Sequence, residues 1–111
     1  MRTYTIDQLD AKDIATITKH LEGLGLAAGL QGLFWLPVAH EHLSPTQQEH
    51  AAKCGPYALG LEVTEDALHL ELLVRARNAM RCECIATAPA ALRQHMMDYL
   101  DAMLAELGIH A

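Results

Sequence analysis

From Tyr57 to Arg75 the apolar residues recur at every second position. Tyr57, Leu59, Leu61 and Val63 alternate with Ala58, Gly60 and Glu62, and beyond Thr64 to Ala67 the residues Leu68, Leu70, Leu72 and Val74 alternate with His69, Glu71, Leu73 and Arg75. A period of two marks strands with one buried face. A loop at Glu65-Asp66 sets Val63 opposite Leu68, Leu61 opposite Leu70 and Leu59 opposite Leu72, which makes one face of the sheet almost entirely leucine. A third strand completes a meander over Tyr57 to Thr87. If Met80, Cys82, Cys84 and Ala86 share the inner face, Arg81 and Glu83 reach water. That register requires a turn at Arg77-Asn78-Ala79 and places Val74 against Cys82 and Leu72 against Cys84.

Elsewhere the period is helical. Asp10 is placed to cap a helix over Ala11 to Leu24, in which Ile14, Ile17, Leu21 and Leu24 form the apolar stripe and Gly23 and Gly25 the stop. Ser44-Pro45-Thr46-Gln47 has the form of a helix start, with Ser44 as N-cap, Pro45 in the first turn and Gln47 closing a capping box. This helix runs to Lys53 or Cys54, ends at Gly55-Pro56, and is polar on nearly every side, so it belongs on the surface. Thr87 is read as the cap of a last helix from Ala88 or Pro89 to Leu107, whose stripe of Leu92, Met96, Tyr99, Leu100, Met103, Leu104 and Leu107 covers the leucine face. Arg2 to Ile6 adds a short extended piece.

Gly32 to Ala39 is apolar on both strand faces, with Leu33, Trp35 and Pro37 on one and Phe34, Leu36 and Val38 on the other. Such a strand is covered on both sides or meets a second subunit. Pro37 lacks an amide donor and places it at an edge or a bulge. The expected fold is therefore α+β: a two-layer sandwich with element order α-β-α-β-β-β-α. Its antiparallel sheet combines the meander with the strand Gly32 to Ala39, and the N- and C-terminal helices pack on one face.

Composition narrows the functional classes. A chain of 111 residues, 51% hydrophobic and 20% charged, fits a single domain over residues 1–111. Its net charge of −6 disfavours nucleic acid and anionic membranes as partners. The N-terminus lacks the apolar core of a signal peptide, and the run Gly23 to Ala39 is interrupted by glycines, Gln31 and Pro37. Three cysteines and no export signal point to free thiols in the cytoplasm.

Four groups of residues could carry chemistry. His40 and His42 at the end of a strand, with His50 and Cys54 one turn apart on a helix, could together close a tetrahedral zinc site. Against this, Cys54 lies at a helix C-terminus, where the dipole disfavours a thiolate, and the same argument weighs against a nucleophilic Cys54 activated by His50. Cys82 and Cys84 are read as packing residues under the last helix. On the outer sheet face Arg75 falls opposite Arg81, with Arg77 at the turn and Leu73 and Ile85 nearby. Glu71 and Glu83 are the ordinary partners for these charges, and a ligand carboxylate or phosphate, or a protein partner, is the functional alternative. Finally, Phe34, Trp35 and Met97 leave apolar surface that a second copy of the chain could cover. No catalytic constellation survives, so the leading expectation is a non-enzymatic interaction module, homodimeric or with a protein partner, that needs no cofactor. Zinc at His40, His42, His50 and Cys54 is the alternative.

Overall fold

The computed structural model describes residues 2–111. Its elements are β1 (Thr3–Ile6), α1 (Ala11–Gly23), β2 (Leu33–Pro37), a 3-10 turn (His40–His42), α2 (Pro45–Cys54), β3 (Tyr57–Val63), β4 (Leu68–Glu71), β5 (Leu73–Ala76), β6 (Ala86–Thr87) and α3 (Ala90–Glu106). The strands form one antiparallel sheet in the order β1-β4-β3-β5-β6, with β2 on the other side of β3. This is the expected α+β sandwich. Phe34, Leu36, Leu59, Leu61, Leu68, Leu70 and Val74 share a core with Ile17 and Leu21 of α1 and Leu92, Met96, Leu100, Met103 and Leu104 of α3. Among the described residues no helix is long and apolar enough to cross a membrane.

The local signals for the first two helices are realised atom by atom. Asp10 accepts from the backbone N–H of Asp13 at 2.7 Å and starts α1. Ser44 Oγ accepts from the Gln47 N–H at 3.2 Å while Gln47 Oε1 accepts from the Ser44 N–H at 2.8 Å, a complete capping box for α2. Two donors with no intrahelical partner are satisfied this way. Pro37 stands at the end of β2, whose outer edge is covered in part by the preceding segment: Trp35 N–H donates to Leu26 and Ala28 N–H to Leu33. Gly32 (φ 80°) enters β2 so close to β3 that a Cβ would lie 2.8 Å from the Val63 carbonyl oxygen. Only glycine accepts both that approach and that dihedral.

The pairing of Val63 with Leu68 and of Leu61 with Leu70 is as expected, but the register does not continue. Beyond it Ala58 pairs with Arg75 and Tyr57 with Ala76, so residues 59–60 of β3 face residues 71–74. The extra residues form a bulge at Leu72 that separates β4 from β5. Leu72 is fully used there, its N–H donating to Arg2 and its carbonyl accepting from Ala88. The bulge therefore passes the outer edge of this interrupted strand from β1 to β6.

The last strand differs most. The residues Met80 to Ile85 form a loop, and β6 is short, with Val74 opposite Ala86 and Leu73 opposite Thr87. Met80, Cys82, Cys84 and Ala86 accordingly do not share an inner face: Met80 and Ala86 are exposed and Cys84 is buried. Tertiary bonds to α2 outweigh the ladder here. Asn78 donates its N–H to Cys54 and its side-chain amide to Gly55, and Arg77 N–H donates to Pro56. Because Thr87 lies in β6, it cannot cap α3; the N-cap is Pro89, which makes no side-chain cap bond. Tyr99 is also on the outside of α3 rather than in its buried stripe.

Candidate metal centre

α2 carries His50 and Cys54 one turn apart, and the capping box at its start together with Gly55 at its end fixes the helix that presents them. A Cβ at Gly55 would fall 2.6 Å from the Ala51 carbonyl oxygen, so only glycine lets the chain leave the helix so tightly after Cys54. Facing this helix is the loop after β5. It is held by the Asn78 and Arg77 bonds already described and by Gln47, whose amide Nε2 donates to the Cys84 carbonyl at 3.0 Å. The Gln47 carbonyl in turn accepts from the buried Tyr57 hydroxyl at 2.9 Å.

The result is a four-residue group, His50, Cys54, Cys82 and Cys84, whose ligand atoms all lie within 4.8 Å of one another. Cys54 Sγ is 3.6 Å from Cys82 Sγ and His50 Nδ1 is 3.2 Å from it. Around a tetrahedral zinc with ordinary bond lengths, donor atoms stand about 3.5–3.8 Å apart. The closest pairs here already have nearly that spacing. On the far side of the imidazole, His50 Nε2 is 3.6 Å from the Glu83 carboxylate. One imidazole nitrogen thus faces the sulfurs and the other an acid, the disposition that suits a ligating histidine.

The electrostatics separate the thiols. Cys82 is drawn down to about 7, chiefly by hydrogen bonding from Cys84, with Cys54 and His50 acting in the same sense against desolvation. Its sulfur accepts from the Cys84 backbone N–H at 3.5 Å and from the Cys54 thiol. Cys54 is pushed up to about 11, first by burial and then by bonding to Cys82 and Cys84. Burial likewise raises the Tyr57 phenol, which stays a neutral donor to α2. Cys82 is thus more readily ionised than Cys54, which a bound cation would help to deprotonate.

Of the residues singled out from the sequence, the fold brings His50 and Cys54 together and adds Cys82 and Cys84, while His40 and His42 are not in the group. The strand does not continue through them. They sit on the 3-10 turn, and His42 packs its ring on that of His95 with centroids 4.4 Å apart. The Cys82-x-Cys84 spacing was the available signal for the missing half. On a strand it reads as packing, whereas on a loop it lets both sulfurs turn to one point.

The remaining candidate residues lie elsewhere. Arg75 does not oppose Arg81, because β5 meets β6 with Val74 opposite Ala86 and Arg81 lies in the loop between them; Arg75 forms a two-pronged ion pair with Glu71, one arm at 3.1 Å. Arg77 lies over Trp35, its Cζ 5.5 Å from the ring centroid, and Arg81 is exposed. Leu73, Ile85, Trp35 and Met97 are half-buried, and Phe34 is buried inside the chain at 3% exposure. A hollow of about 610 Å³ is lined by Trp35, Arg75, Arg77, Met80 and Ile85. Compared with protein-family models, curated proteins and solved structures, the chain matches none.

Proposed function

We propose that the protein is a single α+β domain that binds zinc at His50, Cys54, Cys82 and Cys84, and that the ion fastens the loop after β5 to α2. The observation that carries this reading is the convergence of four donor atoms within 4.8 Å from two segments distant in the chain. Three sulfurs and an imidazole suit a borderline-soft cation and exclude calcium and magnesium, which take oxygen. Four protein donors complete a tetrahedral sphere and leave no position for water or substrate, so the ion's role in this reading is structural. Free thiols of this kind belong to a reducing compartment such as the cytoplasm.

Untagged protein purified under reducing conditions is expected to contain one equivalent of zinc by mass spectrometry of the metal. His50→Ala and Cys82→Ser lose it, while His40→Ala and His42→Ala keep it. Metal-free protein whose melting temperature does not respond to added zinc would remove the reading.

A second reading concerns the sheet face opposite the helices, where Trp35 lines the hollow noted above and two adjoining ones. A half-buried tryptophan under an arginine is the composition of a contact hot spot. We assign this face to protein contact, with a second copy of the chain as the partner, through Trp35, Leu33 and Arg77. Light scattering after gel filtration at micromolar concentration should give twice the chain mass, and a monomer would exclude the homodimer.

A further inference from the structure

The four side chains proposed to bind zinc differ in access and in pairing, and that difference suggests a chemistry of its own. Cys54 and Cys84 are 5% and 1% exposed, whereas Cys82 is half-buried and follows the exposed Arg81 on the loop. Three groups converge on the Cys82 sulfur: the Cys84 backbone N–H, the Cys54 thiol and His50 Nδ1. The Cys54 Sγ, 3.6 Å from it, is carried by α2 and so comes from the other side of the site. A disulfide needs the two sulfurs at about 2.05 Å, so a closing movement of about 1.6 Å suffices if the loop shifts toward α2.

We infer that the site is also a hydroperoxide-sensitive thiol switch, in which Cys82 is the oxidised residue and Cys54 the resolving one; this rests on the zinc reading above. The Cys82 thiolate sulfur attacks one peroxide oxygen. The S–O bond forms as the O–O bond breaks, sulfur loses two electrons, and the peroxide leaves as hydroxide or alkoxide, which takes a proton. The Cys54 sulfur then attacks Cys82, and the sulfenic oxygen departs as water with a second proton. The sum is two thiolates, one hydroperoxide and two protons giving one disulfide, one water and the alcohol, or a second water when the peroxide is hydrogen peroxide. Two of the four donors are consumed, and His50 with Cys84 is too small a set to retain zinc. The ion is therefore expelled, and the loop after β5 loses its fastening to α2.

The test uses the reduced, zinc-loaded full chain treated with hydrogen peroxide. Zinc release is followed with a colorimetric chelator, and the thiols are mapped by alkylation and tryptic digestion without reductant. Cleavage after Lys53 and Arg81 places Cys54 and Cys82 at the starts of separate peptides. The expected result is one zinc released per disulfide, a cross-link from Cys54 to Cys82 by fragmentation, an alkylated Cys84, and recovery of zinc binding after dithiothreitol. Uptake of zinc with no release by a tenfold excess of peroxide, or release with Cys54 left alkylatable, would overturn the switch while leaving the zinc reading intact. Protein that takes up no zinc at all overturns both. In the metal-free chain Cys54→Ser should give no cross-link to position 54 and a dione-trapped sulfenic acid at Cys82; trapping at Cys84 instead would also overturn it.

Discussion

Glu83 is the residue whose role is most sharply separable from folding. Its carboxylate is largely in solvent, yet it stands 3.6 Å from His50 Nε2, on the side of the imidazole away from the sulfurs. Glu83→Gln should therefore weaken zinc binding by less than the roughly 10–100-fold that follows loss of a hydrogen-bonded partner of a ligating histidine. The melting temperature of the metal-free protein should not change. Competition titration against a chelator of known affinity measures the first, and equal weakening by Glu62→Gln, which is remote from the site, would show the effect to be general charge. At the same scale Gln47 is unusual, a buried side chain that both closes the capping box and holds the Cys84 carbonyl. Replacing it by Ala leaves that carbonyl and the Ser44 N–H to find other partners, a cost of about 1–3 kcal/mol. Urea denaturation of the metal-free chain should read that loss, and zinc affinity should fall with it because the loop carrying Cys82 and Cys84 is no longer anchored.

At the scale of elements, α2 and the loop after β5 carry the proposed metal site, and β3 to β5 set where they meet. Ser44→Ala removes the N-cap oxygen and should destabilise the protein by about 1 kcal/mol, with zinc restoring most of the loss of α2 order seen by hydrogen exchange. The bounds of α2 were legible in the sequence, since its start and stop depend on residues adjacent in the chain, Ser44, Pro45, Gln47 and Gly55-Pro56, whereas the burial of the Gln47 side chain against Cys84 was not. The same holds for α1 and for the pairing of Leu61 with Leu70. The bulge at Leu72 was not legible. The alternation of Leu70, Leu72 and Val74 is unbroken, and what interrupts the ladder is the arrival of Arg2 and Ala88 as partners of the Leu72 backbone. The loop Met80 to Ile85 was not legible either: it brings Val74 opposite Ala86, which puts Thr87 in a strand, separates Arg75 from Arg81, and leaves Cys82 and Cys84 outside the ladder.

For the whole molecule, the leucine face under α1 and α3 is the core, and zinc at the proposed site should only add to its stability. Leu61→Ala, at a site with no exposure, should cost about 2–5 kcal/mol with or without zinc. Zinc at a thousandfold excess over its dissociation constant should add about 4 kcal/mol, and a strong chelator should return the melting temperature to that of the metal-free chain without unfolding it. A chain that unfolds on chelation would make the ion a requirement for the fold. The sequence by itself determined the strand and helix periods, the caps, the antiparallel α+β architecture and the presence of thiols and imidazoles near α2, because each follows from neighbours within a few residues. Only the tertiary structure decided which of them meet. His50 and Cys54 could be joined by His40 and His42 or by Cys82 and Cys84, and nothing local distinguishes the two. The choice fell to the hydrogen bonds from Asn78, Arg77 and Gln47, which hold the second pair of cysteines against α2.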